Sequence, residues 1–177
     1  MLINLRGTSG AGKSTVVRAF MALCPDKPIY GALGSRLPEA YELVLPRCDR
    51  LYVLGPYTTP CGGCDRILPF ALVPQLIQKY AQQGHVVFEG LLISTCYGAI
   101  GRLMEEHDSV VMFLDTPLEI CIARVEARRA AAGNFRPFNP KLLIKKHRTI
   151  ARLQARFGER AVSVKGSEAA SGAISAV

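Results

Sequence analysis

Gly7-Thr8-Ser9-Gly10-Ala11-Gly12-Lys13-Ser14, close to the amino terminus, is the stretch whose reading decides the fold. It satisfies G-x-x-x-x-G-K-[ST] in full. Upstream, Leu2-Ile3-Asn4-Leu5 is a short apolar run that reads as a strand. Downstream, Thr15-Val16-Val17-Arg18-Ala19-Phe20-Met21 continues as an amphipathic helix. Glycines let a backbone turn tightly and aim successive N–H groups inward, forming an anion nest. The first turn of the following helix adds the positive end of its dipole. Residues Gly7 to Thr15 are therefore expected to cradle the phosphates of a nucleoside triphosphate. Lys13 is expected to reach the β- and γ-phosphates, and the Ser14 hydroxyl to bind Mg²⁺.

The chain of 177 residues fits one domain with a proper core. A hydrophobic content of 49% and a mean hydropathy of +0.19 agree with a buried sheet covered by helices. No apolar run approaches the ~20 residues needed to span a bilayer. The amino terminus runs through Asn4 and Arg6 straight into the glycine loop, so no signal peptide is expected there. Six cysteines beside a nucleotide site suggest a reducing interior with mostly free thiols. The expected location is cytoplasmic.

The formal charge of +8 is concentrated. Eleven basic residues lie between Pro117 and Arg160 against three acidic ones, so this segment carries the whole excess. Such a concentration suits a polyanion, whether triphosphate or nucleic acid.

Apolar runs at Ile29–Leu33, Tyr41–Leu45, Leu51–Leu54, Val86–Phe88, Val110–Leu114 and Ala161–Val164 read as further strands, with Gly34-Ser35, Pro46 and Asp49 as punctuation. Helices are predicted over Pro74–Gln83, Tyr97–Glu106, Leu118–Ala130 and Lys141–Phe157. Apolar strands alternating with helices predict an α/β domain, a mainly parallel five-stranded sheet with helices on both faces. The domain is expected to span 1–166, with a lid at about 124–139 and a frayed tail at 167–177.

Several side chains outside the loop can carry chemistry. Glu89 ends a buried strand, where open α/β sheets place their ligands, and can share Mg²⁺ with Ser14. It would otherwise simply face solvent. Asp115 ends the next strand similarly, but Asp115-Thr116-Pro117 is equally a helix-start signal. In Cys61-Gly62-Gly63-Cys64-Asp65, the paired glycines permit backbone to approach a ligand closely. Asp65 suits a carboxylate that takes a proton from an acceptor hydroxyl; a helix N-cap is the competing role. The Cys-x-x-Cys spacing admits zinc, although no second pair or nearby histidine completes four ligands. Arg124, Arg128 and Arg129 share one helix and can close over a triphosphate to neutralise a transferring phosphoryl group, unless they are only a solvated face.

The last long helix carries two stripes. Leu143, His147, Ile150, Leu153 and Phe157 should face the core, with His147 a core histidine. Lys141, Lys145, Arg148, Arg152 and Arg156 form a second row about 22 Å long. That row can track several phosphates of a DNA strand or remain a solvated surface. With no tryptophan in the chain, base stacking would fall to Tyr57, Tyr97, Phe135 or Phe138.

Taken together, Gly7–Ser14, Glu89 and Leu114-Asp115-Thr116-Pro117 leading into the three arginines resemble P-loop kinases of the nucleoside/nucleotide and polynucleotide kinase type. More narrowly, Gly55-Pro56-Tyr57, the Cys61–Asp65 loop and Phe88-Glu89-Gly90 are similar to small bacteriophage kinases. Some of those phosphorylate 5-hydroxymethyluracil within DNA. The resemblance implies a three-layer P-loop NTPase fold and ATP with Mg²⁺ as cofactors, in a host cytoplasm. It also implies Asp65 as base, Lys13 with the lid arginines on ATP, and Ser14 with Glu89 on Mg²⁺. The missing Asp-Gly-x-Pro-Arg strand end argues against a nucleoside-monophosphate acceptor. Two other readings stay open: a kinase of nucleosides, nucleotides or other small molecules, and a P-loop module that binds nucleotide without transferring phosphate.

Overall fold

Alternation along Leu2–Arg6 (β1) sends Leu2, Asn4 and Arg6 to one face of a sheet and Ile3 and Leu5 to the other, and all five are buried. β1 is central in a computed structural model that describes residues 1–31, 36–45 and 48–165. After it come α1 (Lys13–Met21), β2 (Asp26–Tyr30), β3 (Pro38–Leu45), β4 (Cys48–Leu54), α2 (Leu72–Ala81) and β5 (His85–Glu89). The chain continues through α3 (Leu91–Thr95), α4 (Gly98–Glu106), β6 (Ser109–Leu114), α5 (Leu118–Ala131), α6 (Lys141–Phe157) and β7 (Ala161–Val164). Short 3₁₀ turns cover Cys64–Arg66 and Gly158–Arg160. The tail at 167–177, the turn signals Gly34-Ser35 and Pro46, and the end of the Ile29–Leu33 run lie outside the described residues.

All strands join one sheet in the order β2-β3-β4-β5-β1-β6-β7. The expected five-stranded sheet is thereby corrected to a mixed sheet of seven. The pairs β4·β5, β5·β1, β1·β6 and β6·β7 are parallel, whereas β2·β3 and β3·β4 are antiparallel. Connection length explains the difference. A parallel pair needs a crossover of a dozen or more residues, and the links between β2, β3 and β4 are far shorter. The outermost strand β2 is largely exposed and contains Pro28, a residue tolerated at a sheet edge.

Two apolar clusters cover opposite faces. One joins Ile3, Leu5, Val87 and Met112 to Val16, Val17 and Phe20 of α1 and Cys121 and Val125 of α5. The other joins Leu2, Val86, Phe88, Val111 and Phe113 to Val73 and Ile77 of α2, Ile93 of α3 and Met104 of α4. Helix α6 reaches both, with Leu143 in the first cluster and Ile150 and Phe157 in the second. Its bounds match those read from the sequence, and Leu143, Ile150 and Phe157 of the expected stripe are buried. His147 and Leu153 are only half-buried and lie outside both clusters, so His147 is not a core histidine. The five-residue α3 has no counterpart among the predicted helices, because it is too short to show a period.

Arg6 is an unforeseen feature. It is fully buried beneath α3 and α6, where Nε donates to Asn4 Oδ1 at 2.7 Å and Nη1 to Cys96 O at 2.8 Å. The guanidinium also stacks 4.5 Å from the centre of the Phe157 ring. Burial pushes its pKa down to about 10. Asn4 in turn donates to Phe88 O at 3.1 Å, so this polar chain fastens β1 to β5 immediately before the glycine loop.

The antiparallel extension is tied to the helical layer by Glu39 of β3. Its Oε1 accepts from Lys79 Nζ at 2.6 Å and from Tyr80 Oη at 2.7 Å, both on α2. Burial alone would raise the Glu39 pKa, but these hydrogen bonds outweigh it and hold the carboxyl below its ordinary value. A carboxylate depressed in the folded state contributes stability above its unfolded pKa and loses it as pH falls through the folded one. Glu39→Gln is therefore expected to lower stability at pH 7 by about 1 kcal/mol. The gap to wild type should close below about pH 4, as measured by urea unfolding at both pH values.

Candidate active site

The parallel core places the end of β1 beside the ends of β5 and β6, so the loop 7–12, Glu89 and the start of α5 gather at one edge of the sheet. A cleft of about 560 Å³ opens there, within the range of ligand pockets. One wall is Ser9 to Val16, the other is Pro60, Cys61, Gly62, Asp65, Arg66 and Leu91, and Glu89 lies between them. Arg124 and Arg128 reach in from α5.

The loop is shaped by glycines whose φ is positive, 84° at Gly10 and 101° at Gly12. A Cβ at Gly10 would sit 2.3 Å from the Cys121 carbonyl oxygen, so the loop packs directly on the backbone of α5. Ala11 N–H donates to Thr8 O at 3.1 Å, and Thr116 Oγ1 donates to Ala11 O at 3.0 Å. Helix α1 starts at Lys13, so its first-turn N–H groups have no partners within the helix and face the cleft region. Lys13 is buried, its ammonium donating to Gly7 O at 2.9 Å and Thr8 O at 3.3 Å, 4.0 Å from Glu89 Oε2.

Ser14 Oγ donates to Glu89 Oε1 at 2.6 Å. Burial pushes the Glu89 carboxyl above its ordinary pKa, with Lys13 and the Ser14 hydroxyl pulling the other way. Glu89 does not face solvent, the simpler alternative read from the sequence; it is 2% exposed. One carboxylate and one hydroxyl suit Mg²⁺, which keeps several waters and takes phosphate oxygens. No group of three or more His, Cys, Asp or Glu side chains suited to a metal occurs among the described residues.

The glycine pair after Cys61 packs closely against the protein itself. A Cβ at Gly62 would lie 2.5 Å from the Tyr57 ring, and one at Gly63 2.7 Å from Glu89 O and 2.8 Å from its carboxyl group. The glycines thus let the loop press onto the protein's own aromatic ring and carboxylate. Arg18 of α1 fastens this loop from below, donating to Pro60 O at 3.0 Å and Tyr57 O at 3.2 Å. Nothing in the periodicity of α1 distinguishes Arg18, and sequence reasoning missed it.

Asp65 lines the cleft, and its carboxylate accepts from two backbone N–H groups of α3, Leu91 at 2.5 Å and Leu92 at 3.0 Å. It therefore fixes the start of another helix while lining the cleft. Cys64 is wholly buried, which pushes its thiol well above the ordinary range, while Cys61 is exposed on the cleft wall.

The three arginines separate. Arg124 Nη1 donates to Gly10 O at 3.2 Å, and Arg128 lines the cleft. Arg129 turns the other way, donating to Asn134 Oδ1 and Arg136 O at 3.2 and 3.0 Å and stacking over Phe138. It organises the turn after α5 instead of facing the loop. Asp115 is exposed and does not cap α5, whose N-cap position is Pro117. Lys141, Lys145, Arg148 and Arg152 are exposed along α6 and do not line the cleft. Of the stacking candidates, Tyr57 is buried, Tyr97 is covered by Phe157 and Arg156, and Phe135 stands 82% exposed.

The family model of the 5-hmdU DNA kinases matches residues 67–175, which include Glu89, the three arginines and α6. A 5-hmdU DNA kinase of Pseudomonas phage PaMx11 is 38% identical over 143 residues, 79% of this chain and 76% of that one. Another, from Pseudomonas phage M6, is 31% identical over 162 residues, 86% of this chain and 82% of its own. The 5-hmdU DNA kinase 1 of Salmonella phage ViI is 31% identical over 161 residues, 82% of this chain and 65% of its length.

The contact between Gly63 and Glu89 makes a measurable demand. Gly63→Ala combines a positive φ with the clash against Glu89, whereas Gly133→Ala has a positive φ and nothing within 4 Å of the new carbon. The Gly133 change should cost about 1 kcal/mol and the Gly63 change roughly 3 kcal/mol in urea unfolding.

Proposed function

Because the chain belongs to the 5-hmdU DNA kinase family, we propose that it is an ATP-dependent phosphotransferase acting on the 5-hydroxymethyl group of 5-hydroxymethyluracil in DNA. The observation that carries this reading is a single cleft with a phosphate-type loop on one wall and the Asp65 carboxylate on the other, Glu89 lying between. We assign residues 1–166 to one kinase domain of the P-loop NTPase class, with the arginines of α5 as its lid.

On the donor wall, the N–H groups of Gly7 to Thr15 surround the phosphates of ATP, and Lys13 exchanges its loop carbonyls for the β- and γ-phosphates. Ser14 and Glu89 would hold Mg²⁺, which supplies charge neutralisation on the phosphates. Arg124 and Arg128 offset charge on the phosphoryl group in flight. Arg129 serves ATP indirectly, by ordering the turn that follows the helix carrying them.

On the acceptor wall, Asp65 orients the hydroxymethyl group and takes its proton. As that proton moves to the Asp65 carboxylate, the acceptor oxygen bonds to the γ-phosphorus. The bond from that phosphorus to the β–γ bridging oxygen breaks, and ADP leaves. The two N–H bonds from α3 hold the carboxylate in place for this step. Lys141, Lys145, Arg148 and Arg152 offer phosphate contacts for DNA outside the cleft. No helix among the described residues is long and apolar enough to cross a membrane.

Labelled ATP incubated with DNA containing 5-hydroxymethyluracil, with ordinary DNA and with free nucleosides tests the reading. Label is expected only on the modified DNA, and label confined to free nucleosides would overturn it. Lys13→Ala should lower transfer at least a hundredfold. Asp65→Asn should lower kcat by a similar factor with the KM for ATP unchanged, provided its thermal midpoint shows α3 intact.

A further inference from the structure

Arg66 sits beside Asp65 on the acceptor wall and lines the cleft. Its backbone is pinned, since it closes the 3₁₀ turn Cys64–Arg66 and its N–H donates to Gly63 O at 3.2 Å. Its guanidinium is exposed and makes no hydrogen bond or ion pair among the described residues. The other cations around the cleft differ in kind. Lys13 and Arg124 are bonded to loop carbonyls, and Arg128 belongs to the donor-side helix α5. Arg18 is committed to Tyr57 O and Pro60 O. Arg66 is thus an unpaired cation on a pinned backbone, on the wall that carries Asp65.

A hydroxymethyl group on a base is neutral, as is a free nucleoside. Neither gives a cation on this wall anything to bind. A nucleotide within a strand brings a phosphodiester on each side, a few ångströms from its base. Two exposed leucines stand near Arg66 and Asp65, one by chain position and one by contact. Leu68, two residues further on, is 78% exposed, and Leu92, whose N–H reaches Asp65, is 46% exposed. A cation flanked by exposed leucines suits a strand with alternating phosphates and apolar sugar and base faces.

Building on the kinase reading above, we propose that Arg66 binds the backbone phosphate next to the acceptor nucleotide of DNA and, with Leu68 and Leu92, forms the acceptor-strand contact at the mouth of the cleft. This contact is separate from the basic row on α6. It holds the strand so that the hydroxymethyl group reaches Asp65, and it discriminates a strand from a free nucleoside by charge.

Steady-state transfer to DNA carrying 5-hydroxymethyluracil, measured across salt concentrations, tests the assignment. The proteins compared are wild type, Arg66→Gln, Arg66→Lys and Arg102→Gln, the last removing one exposed charge from α4. Arg66→Gln should raise the KM for DNA roughly fivefold and reduce the salt slope of kcat/KM by about one, with the KM for ATP unchanged. Arg66→Lys should keep the slope, and Arg102→Gln should match wild type. Equal behaviour of the two glutamine variants, or an effect of Arg66→Gln confined to ATP, would overturn the inference. Wild-type label on free nucleosides only would instead sink the kinase reading itself, so the two failures are distinguishable. Thermal midpoints confirm that the variants are folded, and Arg66→Lys tests the charge even where the glutamine variant is not.

Discussion

The hydrogen bond from Ser14 Oγ to the buried carboxylate of Glu89, 2.6 Å long, joins the start of α1 to the end of β5. A charge-assisted bond of this kind contributes about 1.5 to 3 kcal/mol, and more is at stake in its absence because Glu89 is buried. Lys13 stands 4.0 Å away on the same helix. Gly63 packs against the other side of the carboxylate. Directly after Glu89 the chain turns at Gly90 into α3, whose first N–H groups hold Asp65. The two walls of the cleft are therefore registered to one another through a single carboxylate.

That arrangement limits how far the cleft can change without unfolding. The 55–65 loop has almost no slack, since a Cβ at Gly55 would also fall 2.3 Å from the Gly63 backbone. Arg18 then clamps the loop to the face of α1. Pre-organisation of this kind puts the cost of positioning into folding instead of into each turnover. The α5 side of the cleft is built more loosely. Arg124 rests on the Gly10 carbonyl, and the turn after α5 is held by Arg129 rather than by burial.

The positive charge divides along the same lines. Lys13 and Arg124 beside the loop are bonded to backbone oxygens, Arg6 is buried against Phe157, and the row on α6 is exposed away from the cleft. A count of basic residues between Pro117 and Arg160 finds the row and the arginines of α5. It misses Arg18 and Arg66, which lie outside that segment.

Much was legible in the residues themselves. The pattern Gly7 to Ser14 fixes a strand–loop–helix because only glycine accepts the positive φ at Gly10 and Gly12. The 3.6-residue period of α6 and the apolar runs of β1, β5 and β6 likewise follow from local rules, as does Glu89 at a strand end. What periodicity could not supply were the contacts between distant segments. The antiparallel β2–β4 extension depends on pairing, the burial of Arg6 on packing beneath α6, and the use of Gly62 and Gly63 on what lies opposite them. Asp65 shows the boundary most clearly. Its residue type and neighbours marked it from the sequence as a base or a cap. Only the tertiary structure could bring it onto the backbone of α3 and into the cleft at once, because a carboxylate's partners are set by which chains meet there.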